Sequence, residues 1–337
     1  MKTIALLFLL LVGFALPALP VAAEDLSHRL SLGLPLLCKI GATCWVANYV
    51  DVDTSPNVRD FRCRLRSYDG HDGVDFALRD LAVMGQGVTV VASAAGRVKN
   101  IRDGMADIAV IDPASRARIK GRECGNGVVI DHSDGWQTQY CHLRKNSIRV
   151  KPGEQVAAGA PIGLVGLSGQ TEFPHVHLAT RHNGVAVDPF TGQSSAAGCG
   201  KTGRGLWRDD LNLAYETIAL YNAGFASGAP DIEAIRRGEP VAQPISLNAP
   251  ALVVWVDMLG VEVGDRLQFR ITQSDGRAVF EGEQKIEKTQ ARRFVYAGIR
   301  RKANAWTAGT YTGEVTHTRV AEGQSLIKRV MTTVVVR

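Results

Sequence analysis

The 337-residue chain offers little with which to cross a membrane, build a zinc finger or grip nucleic acid. After its first two dozen residues it has no apolar run near the roughly 20 residues that span a bilayer. It contains no Cys-x-x-Cys pair, which argues against a cysteine-ligated structural zinc. Beyond Arg300-Arg301-Lys302 it has no dense basic run, and its net charge is only +6. Nucleic-acid binding wants a basic stripe with interleaved aromatics, so no nucleic-acid partner is expected. Internal repeats, low-complexity tracts and convincing long amphipathic helices are also missing.

What the chain does have begins with Met1-Lys2-Thr3, an apolar stretch from Ile4 to Leu19, and Val21-Ala22-Ala23 before Glu24-Asp25. A basic start, a short apolar core and small residues ahead of a cut after Ala23 read as a cleaved signal peptide, residues 1–23. Pro17 and Pro20 interrupt the run as a membrane anchor. The mature protein is therefore expected to be periplasmic or secreted, with no membrane span after cleavage. No cysteine follows the cut to take a lipid. Cys38, Cys44, Cys63, Cys124, Cys141 and Cys199 suit an oxidising compartment. Cys124 and Cys141 flank an expected hairpin around Ser133-Asp134-Gly135, which favours that bridge; Cys38–Cys44 with Cys63–Cys199 is the pairing taken for the rest.

Residues 24–66 read as an irregular, disulfide-stapled wrap with one strand within Trp45–Asp53. From Tyr68 to Phe190, short apolar runs alternate with glycine-rich turns, among them Val74–Leu78, Gly96–Ile101, Thr138–Leu143 and His175–Thr180. That spacing predicts an all-β antiparallel barrel or sandwich over residues 67–200. Residues 201–243 read as a connector. Alternation returns over 244–337, where a second β-sandwich of immunoglobulin-like type with about seven strands is expected. Its assigned role is binding or docking, with an envelope partner.

Three segments carry chemistry. In Asp69-Gly70-His71-Asp72-Gly73-Val74-Asp75, a straight strand would hold His71 and Asp75 about 13 Å apart. Ligands of one metal must approach within roughly 3–4 Å, so Gly70 and Gly73 are expected to let the chain bend. In Gln139-Tyr140-Cys141-His142-Leu143, strand alternation puts Thr138, Tyr140 and His142 on one face. In Phe173-Pro174-His175-Val176-His177-Leu178, the two histidines share a face about 6–7 Å apart, and Val176 and Leu178 point to a core. Each segment alone also has an ordinary reading: a capped surface turn, or a hydrogen-bonded strand histidine. Together they suggest zinc (Zn2+) on His71, Asp75 and one of His175 or His177, with water in the open fourth position. The remaining histidines would orient that water or stabilise an oxyanion. No His-Glu-x-x-His helix is present, so the scheme is not thermolysin-like.

The order His-x-x-x-Asp, Tyr-x-His-Leu, Ser-Gly-x-x-x-x-Pro-His-x-His resembles the LytM/lysostaphin-type zinc metallopeptidases. So do Gly125–His132, Lys151–Val156 and Val187–Phe190, and the likeness covers about Tyr68–Phe190. It implies His71, Asp75 and His177 as zinc ligands and His142 and His175 as catalytic histidines. It further implies hydrolysis of peptide bonds in peptidoglycan stem peptides or cross-bridges. Two departures stand out: Val176-His177-Leu178-Ala179-Thr180 replaces the commoner Leu-His-Phe-Glu, and Glu172-Phe173 replaces Ser/Thr-Gly. Some relatives block the zinc with an upstream asparagine, which would assign that role to Asn57. A non-catalytic scaffold that activates a cell-wall amidase is the alternative. His28, His132 and His182 are expected to be structural or surface residues.

Overall fold

The computed structural model describes residues 29–239, 243–302, 304–321 and 323–337. The signal segment expected at 1–23, and His28, lie outside them. Among the described residues, no helix is long and apolar enough to cross a membrane.

The short apolar runs fold as strands β1 (Trp45–Asn48), β2 (Gly73–Ala77), β3 (Thr89–Val91), β4 (Gly96–Arg102), β5 (Asn126–Asp131) and β6 (Trp136–Leu143). They continue as β7 (Gln155–Val156), β8 (Pro161–Leu164), β9 (His175–His182), β10 (Val185–Asp188) and β11 (Gln193–Ser194). Nine of these form one antiparallel sheet in the order β1-β2-β9-β6-β5-β4-β7, with β10 and β11 continuing beside β9. β3 and β8 pair separately. Val74, Phe76, Tyr140, Val176 and Leu178 line the inner face of the large sheet, and Val90 and Ile162 of the small one join the same core. Burying each such side chain contributes about 1.5–3 kcal/mol, enough to fix which face looks inward. The remaining face of β2 and β9 is thereby left to polar residues.

Helices are short: α1 (Leu81–Gln86), α2 (Pro113–Arg118) and α3 (Ile232–Arg237). Each starts at an aspartate, Asp80, Asp112 or Asp231, whose side chain accepts a hydrogen bond from the first turn.

The chain then adds β12 (Ala219–Ala226), β13 (Ala251–Val261), β14 (Arg266–Gln273), β15 (Ala278–Lys285), β16 (Gln290–Arg300), β17 (Gly309–Ala321) and β18 (Gln324–Val336). Sheets β12-β13-β16 and β15-β14-β17-β18 close over a second core containing Leu252, Val254, Phe269 and Val315. The all-β, antiparallel class read from the sequence is the class observed. β12 comes from the stretch read as a connector, yet pairs along β13. Every residue of β13 is buried. Its even-numbered residues Leu252, Val254, Val256 and Met258 enter the sandwich core; Val253 and Trp255 pack with Ile235 of α3, and Leu259 packs with Trp45 and Ala77 of the first sheet. A strand covered on both faces reads as a continuous apolar run.

The three disulfides are Cys38–Cys44, Cys63–Cys199 and Cys124–Cys141, as expected. The second ties the N-terminal wrap to the end of the first sheet's segment.

Candidate metal centre and active site

Strand register builds the site. Asn48 pairs with Asp75, Asp75 with His177, and His177 with Cys141, so four neighbouring strands present these residues in one row. Asp75 and His177 share the face opposite Val74, Phe76 and Leu178. Their ligand atoms meet that of His71: Nε2 of His71 lies 3.1 Å from Oδ1 of Asp75 and 3.0 Å from Nδ1 of His177. His177 Nδ1 lies 3.0 Å from the same Oδ1. All three side chains are buried.

Gly70, whose φ is +74° and whose position favours glycine, closes a turn ahead of His71 in which the His71 amide donates to the Tyr68 carbonyl at 3.0 Å. Gly73 does something else. It sits in β2 opposite Ala179, and a Cβ there would fall 2.6 Å from the His177 ring. Gly73 is required by close approach, not by bending.

Each cluster donor is aimed by a hydrogen bond from its other polar atom. His71 Nδ1 donates to the Tyr49 carbonyl at 2.6 Å, which leaves Nε2 facing inward. His177 Nε2 lies 3.2 Å from Asp72 Oδ1, leaving its Nδ1 inward. Asn48 Nδ2 donates to Asp75 Oδ2 at 2.8 Å. Burial works to raise the Asp75 carboxyl, but the His71 and His175 imidazoles hold it well below the usual carboxylate range. Burial opposes protonation of His177, yet its hydrogen bonds to Asp72 and Asp75 push it up to about 9. Two imidazoles and a carboxylate converging on one point, each fixed from behind, are a donor set that fits zinc.

His142 and His175 complete the group, with ring centroids 4.6 Å apart. His142 does not follow the strand alternation expected of it. Tyr140 points into the core, its hydroxyl accepting from the Ser93 amide at 2.7 Å. His142 has φ +62°, a left-handed conformation that turns its ring onto the site face, 6.1 Å from that of His177. The turn is held by the Cys124–Cys141 disulfide and by the His142 amide, which donates to the Cys124 carbonyl at 2.8 Å. His142 Nδ1 donates to the Ser168 carbonyl at 2.8 Å, and His175 Nδ1 to the Phe173 carbonyl at 2.9 Å. His142 Nε2 is thereby left as an acceptor, and His175 Nε2 lies 3.5 Å from Asp75 Oδ1. Burial, reinforced by the charges of His175 and His177, holds His142 well below its ordinary pKa.

The structure gathers all five expected residues. It does not gather Asn57, which is exposed and bonded to Ser55. The asparagine at the site is Asn48, which no sequence signal marked because its place depends on the β1–β2 register. Asp72 too was legible only as a turn residue. His132 is structural, bonded to the Ala95 carbonyl at 2.7 Å and to Thr138 Oγ1 at 2.9 Å, and His182 stacks on Trp136.

Residues 69–189 match the model of peptidase family M23. They are an M23 peptidase domain. The chain is 33% identical over 132 residues to a protein of Haemophilus influenzae named as an uncharacterized metalloprotease, covering 39% of this chain and 23% of that protein. It is 32% identical over 129 residues to the DD-carboxypeptidase/endopeptidase Mpg of Neisseria meningitidis serogroup B, covering 38% and 24%. The matched part of the chain thus spans about a quarter of these relatives' length. The catalytic domain of lysostaphin from Staphylococcus simulans aligns with a TM-score of 0.28 and 24% identity, over 42% of this chain and 86% of that one. The His71–Asp75–His177 cluster, His142 and His175 all lie inside the M23 domain.

Proposed function

We propose that the protein is an exported zinc metalloendopeptidase that hydrolyses peptide cross-links or stem peptides of peptidoglycan. The observation that carries this reading is the triangle of His71 Nε2, Asp75 Oδ1 and His177 Nδ1, with edges of 3.0–3.1 Å and each donor oriented by a separate hydrogen bond. Names of relatives such as DD-carboxypeptidase/endopeptidase and peptidoglycan DD-endopeptidase support the substrate class.

His71, Asp75 and His177 are the metal ligands in this reading. Zinc bound there supplies Lewis acidity and lowers the pKa of a water molecule toward 7. His142 is a neutral imidazole at neutral pH, its Nδ1 proton committed to Ser168. Its Nε2 accepts the proton released when water adds to the scissile carbonyl carbon. The same Nε2 returns that proton to the leaving nitrogen as the C–N bond breaks. His175, fixed through Nδ1 by Phe173, presents Nε2 on the other side and orients the attacking oxygen. Asp72 and Asn48 act through His177 and Asp75.

Incubation of the purified protein with peptidoglycan sacculi tests this. The expected result is release of soluble muropeptides, lost on chelation and lost again in His177→Ala. Equal release from all three preparations would refute the hydrolase. Metal analysis separates it from the scaffold reading: about one zinc per chain supports the enzyme, and a metal-free protein that still activates an amidase supports the scaffold.

A further inference from the structure

Beside His175 lies a cavity of about 420 Å³ whose walls come from distant parts of the chain. Tyr68, Asp69, Arg116 of α2, Phe173 and Ala291 of β16 line it together with His175. Ala291 belongs to the C-terminal sandwich. That sandwich is packed against the first sheet through Trp45, Ala77, Tyr221 and Leu259, with Phe173 at the margin of the cluster.

The residue after Ala291 makes the more specific contact. Arg292 Nη2 donates to Asp257 Oδ2 at 2.8 Å and its Nε to the Tyr221 hydroxyl at 2.7 Å. The Asp257 side chain is 1% exposed, so the guanidinium is held in a fixed orientation. Its Cζ lies 5.6 Å from the Tyr221 ring centroid and 5.8 Å from that of Phe173, within reach of a cation–π contact. Phe173 in turn lies with its ring centroid 4.8 Å from that of His175, and its carbonyl accepts the His175 Nδ1 proton. Thr171 Oγ1 donates to the same carbonyl at 2.7 Å. A continuous series of contacts therefore runs from Asp257 in β13, through Arg292 and Phe173, to His175.

We propose that the C-terminal sandwich is part of the active site: Arg292 is a positioning residue that sets the ring of His175 through Phe173, and Ala291 is a wall of the groove that admits the peptide arm passing between Phe173 and α2. This deepens the hydrolase reading and rests on it for the word groove; the placement of His175 does not. Arg292 touches no reacting atom, and its effect falls on turnover. Ala291 is exposed at the cavity edge, so bulk there falls on substrate capture.

The test uses the zinc-loaded full chain with R292A, R292K and A291W. Two readouts are taken: the nitrogen-15 and proton NMR signals of the His175 ring, and kcat and KM on cross-linked muropeptides. R292A is expected to shift the His175 signals and lower kcat about tenfold, because small misplacements of a reacting group are costly. R292K, which keeps a cation over Phe173, should restore most of both. A291W should raise KM about tenfold with kcat, melting temperature and His175 signals unchanged. If R292A does not fold, F173L, which removes the ring and leaves the Asp257 pair alone, must give the same shift. His175 signals identical to wild type in R292A, or in F173L where that replaces it, overturn the proposal. So does a wild-type KM in A291W. Should the wild-type chain hydrolyse no muropeptide, the hydrolase reading fails, and the His175 signals alone decide the role of Arg292.

Discussion

The two cores of this protein each enclose a buried histidine beside a buried aspartate, and they use the pair differently. In the M23 domain, His71, Asp75 and His177 turn their free atoms toward one point, and the groups that fix them stand outside. In the C-terminal sandwich, His317 Nε2 lies 2.9 Å from Asp265 Oδ2, but Arg319 Nη2 occupies the same oxygen at 2.7 Å and its Nε the other at 2.8 Å. The guanidinium already supplies the cation. Burial would raise Asp265, yet Arg319 and His317 hold it below the usual carboxylate range. A third buried carboxylate, Asp188, has no ion pair among the described residues. Its Oδ1 accepts from the Phe190 and Thr191 amides at 2.7 and 3.0 Å, while Oδ2 has no partner among the described residues. Burial pushes it up to about 7, so it keeps its proton below neutral pH. One residue type thus meets burial in three ways: by converging donors, by an arginine, or by protonation.

The sharpest way to break this contrast is to remove one converging donor. H177A should lose both bound zinc and hydrolysis, whereas H142A should keep zinc and lose about 10²–10⁴ of the rate. Metal analysis and muropeptide release read the two, and zinc loss in H142A would undo the division between ligand and base. In the sandwich, R319A strands Asp265 and should destabilise the protein by about 3–5 kcal/mol in urea melts, with zinc content unaltered. A zinc-dependent change there would mean the two clusters are not independent.

Asp188 gives the next effect, and its sign is fixed by linkage. The native state binds a proton that the unfolded state has released above about pH 4, so stability falls as pH rises toward 7. Between pH 5 and 7 the loss is about 2 kcal/mol. In D188N, which keeps the Oδ1 acceptor and does not titrate, the profile should be flat over that window by comparison. A parallel slope in wild type and D188N would assign the proton elsewhere. Asn48→Ala should have the mildest effect, weakening zinc about 10–100-fold without removing it, because only the orientation of Asp75 is lost. Competition with a coloured chelator measures it.

Much of the site was legible in one dimension. The two histidines of β9 share a face because β alternation leaves no choice once Val176 and Leu178 are buried. His71 and Asp75 stand out because both residue types ligate metals and the glycine-flanked stretch that carries them is not a plain strand. His142 shows the boundary of such reasoning: alternation put it on one face with Tyr140, Tyr140 turned out to face the core, and a single left-handed residue sent His142 to the other side. Gly73 was misread for a related reason, since a glycine that makes room for an imidazole across a strand pair resembles one that makes a turn.

By itself, the sequence determined the strand pattern and the all-β class, because these depend on local periodicity, and it marked the His-x-x-x-Asp, Tyr-x-His-Leu and His-x-His segments by the chemistry of their residue types. Tertiary structure alone decided that Asn48 and Asp72 orient the cluster, that β12 joins the C-terminal sheet, and that Arg292 reaches Phe173. Those contacts join segments dozens to more than a hundred residues apart through strand register and the packing of two sheets, and no spacing along the chain encodes either.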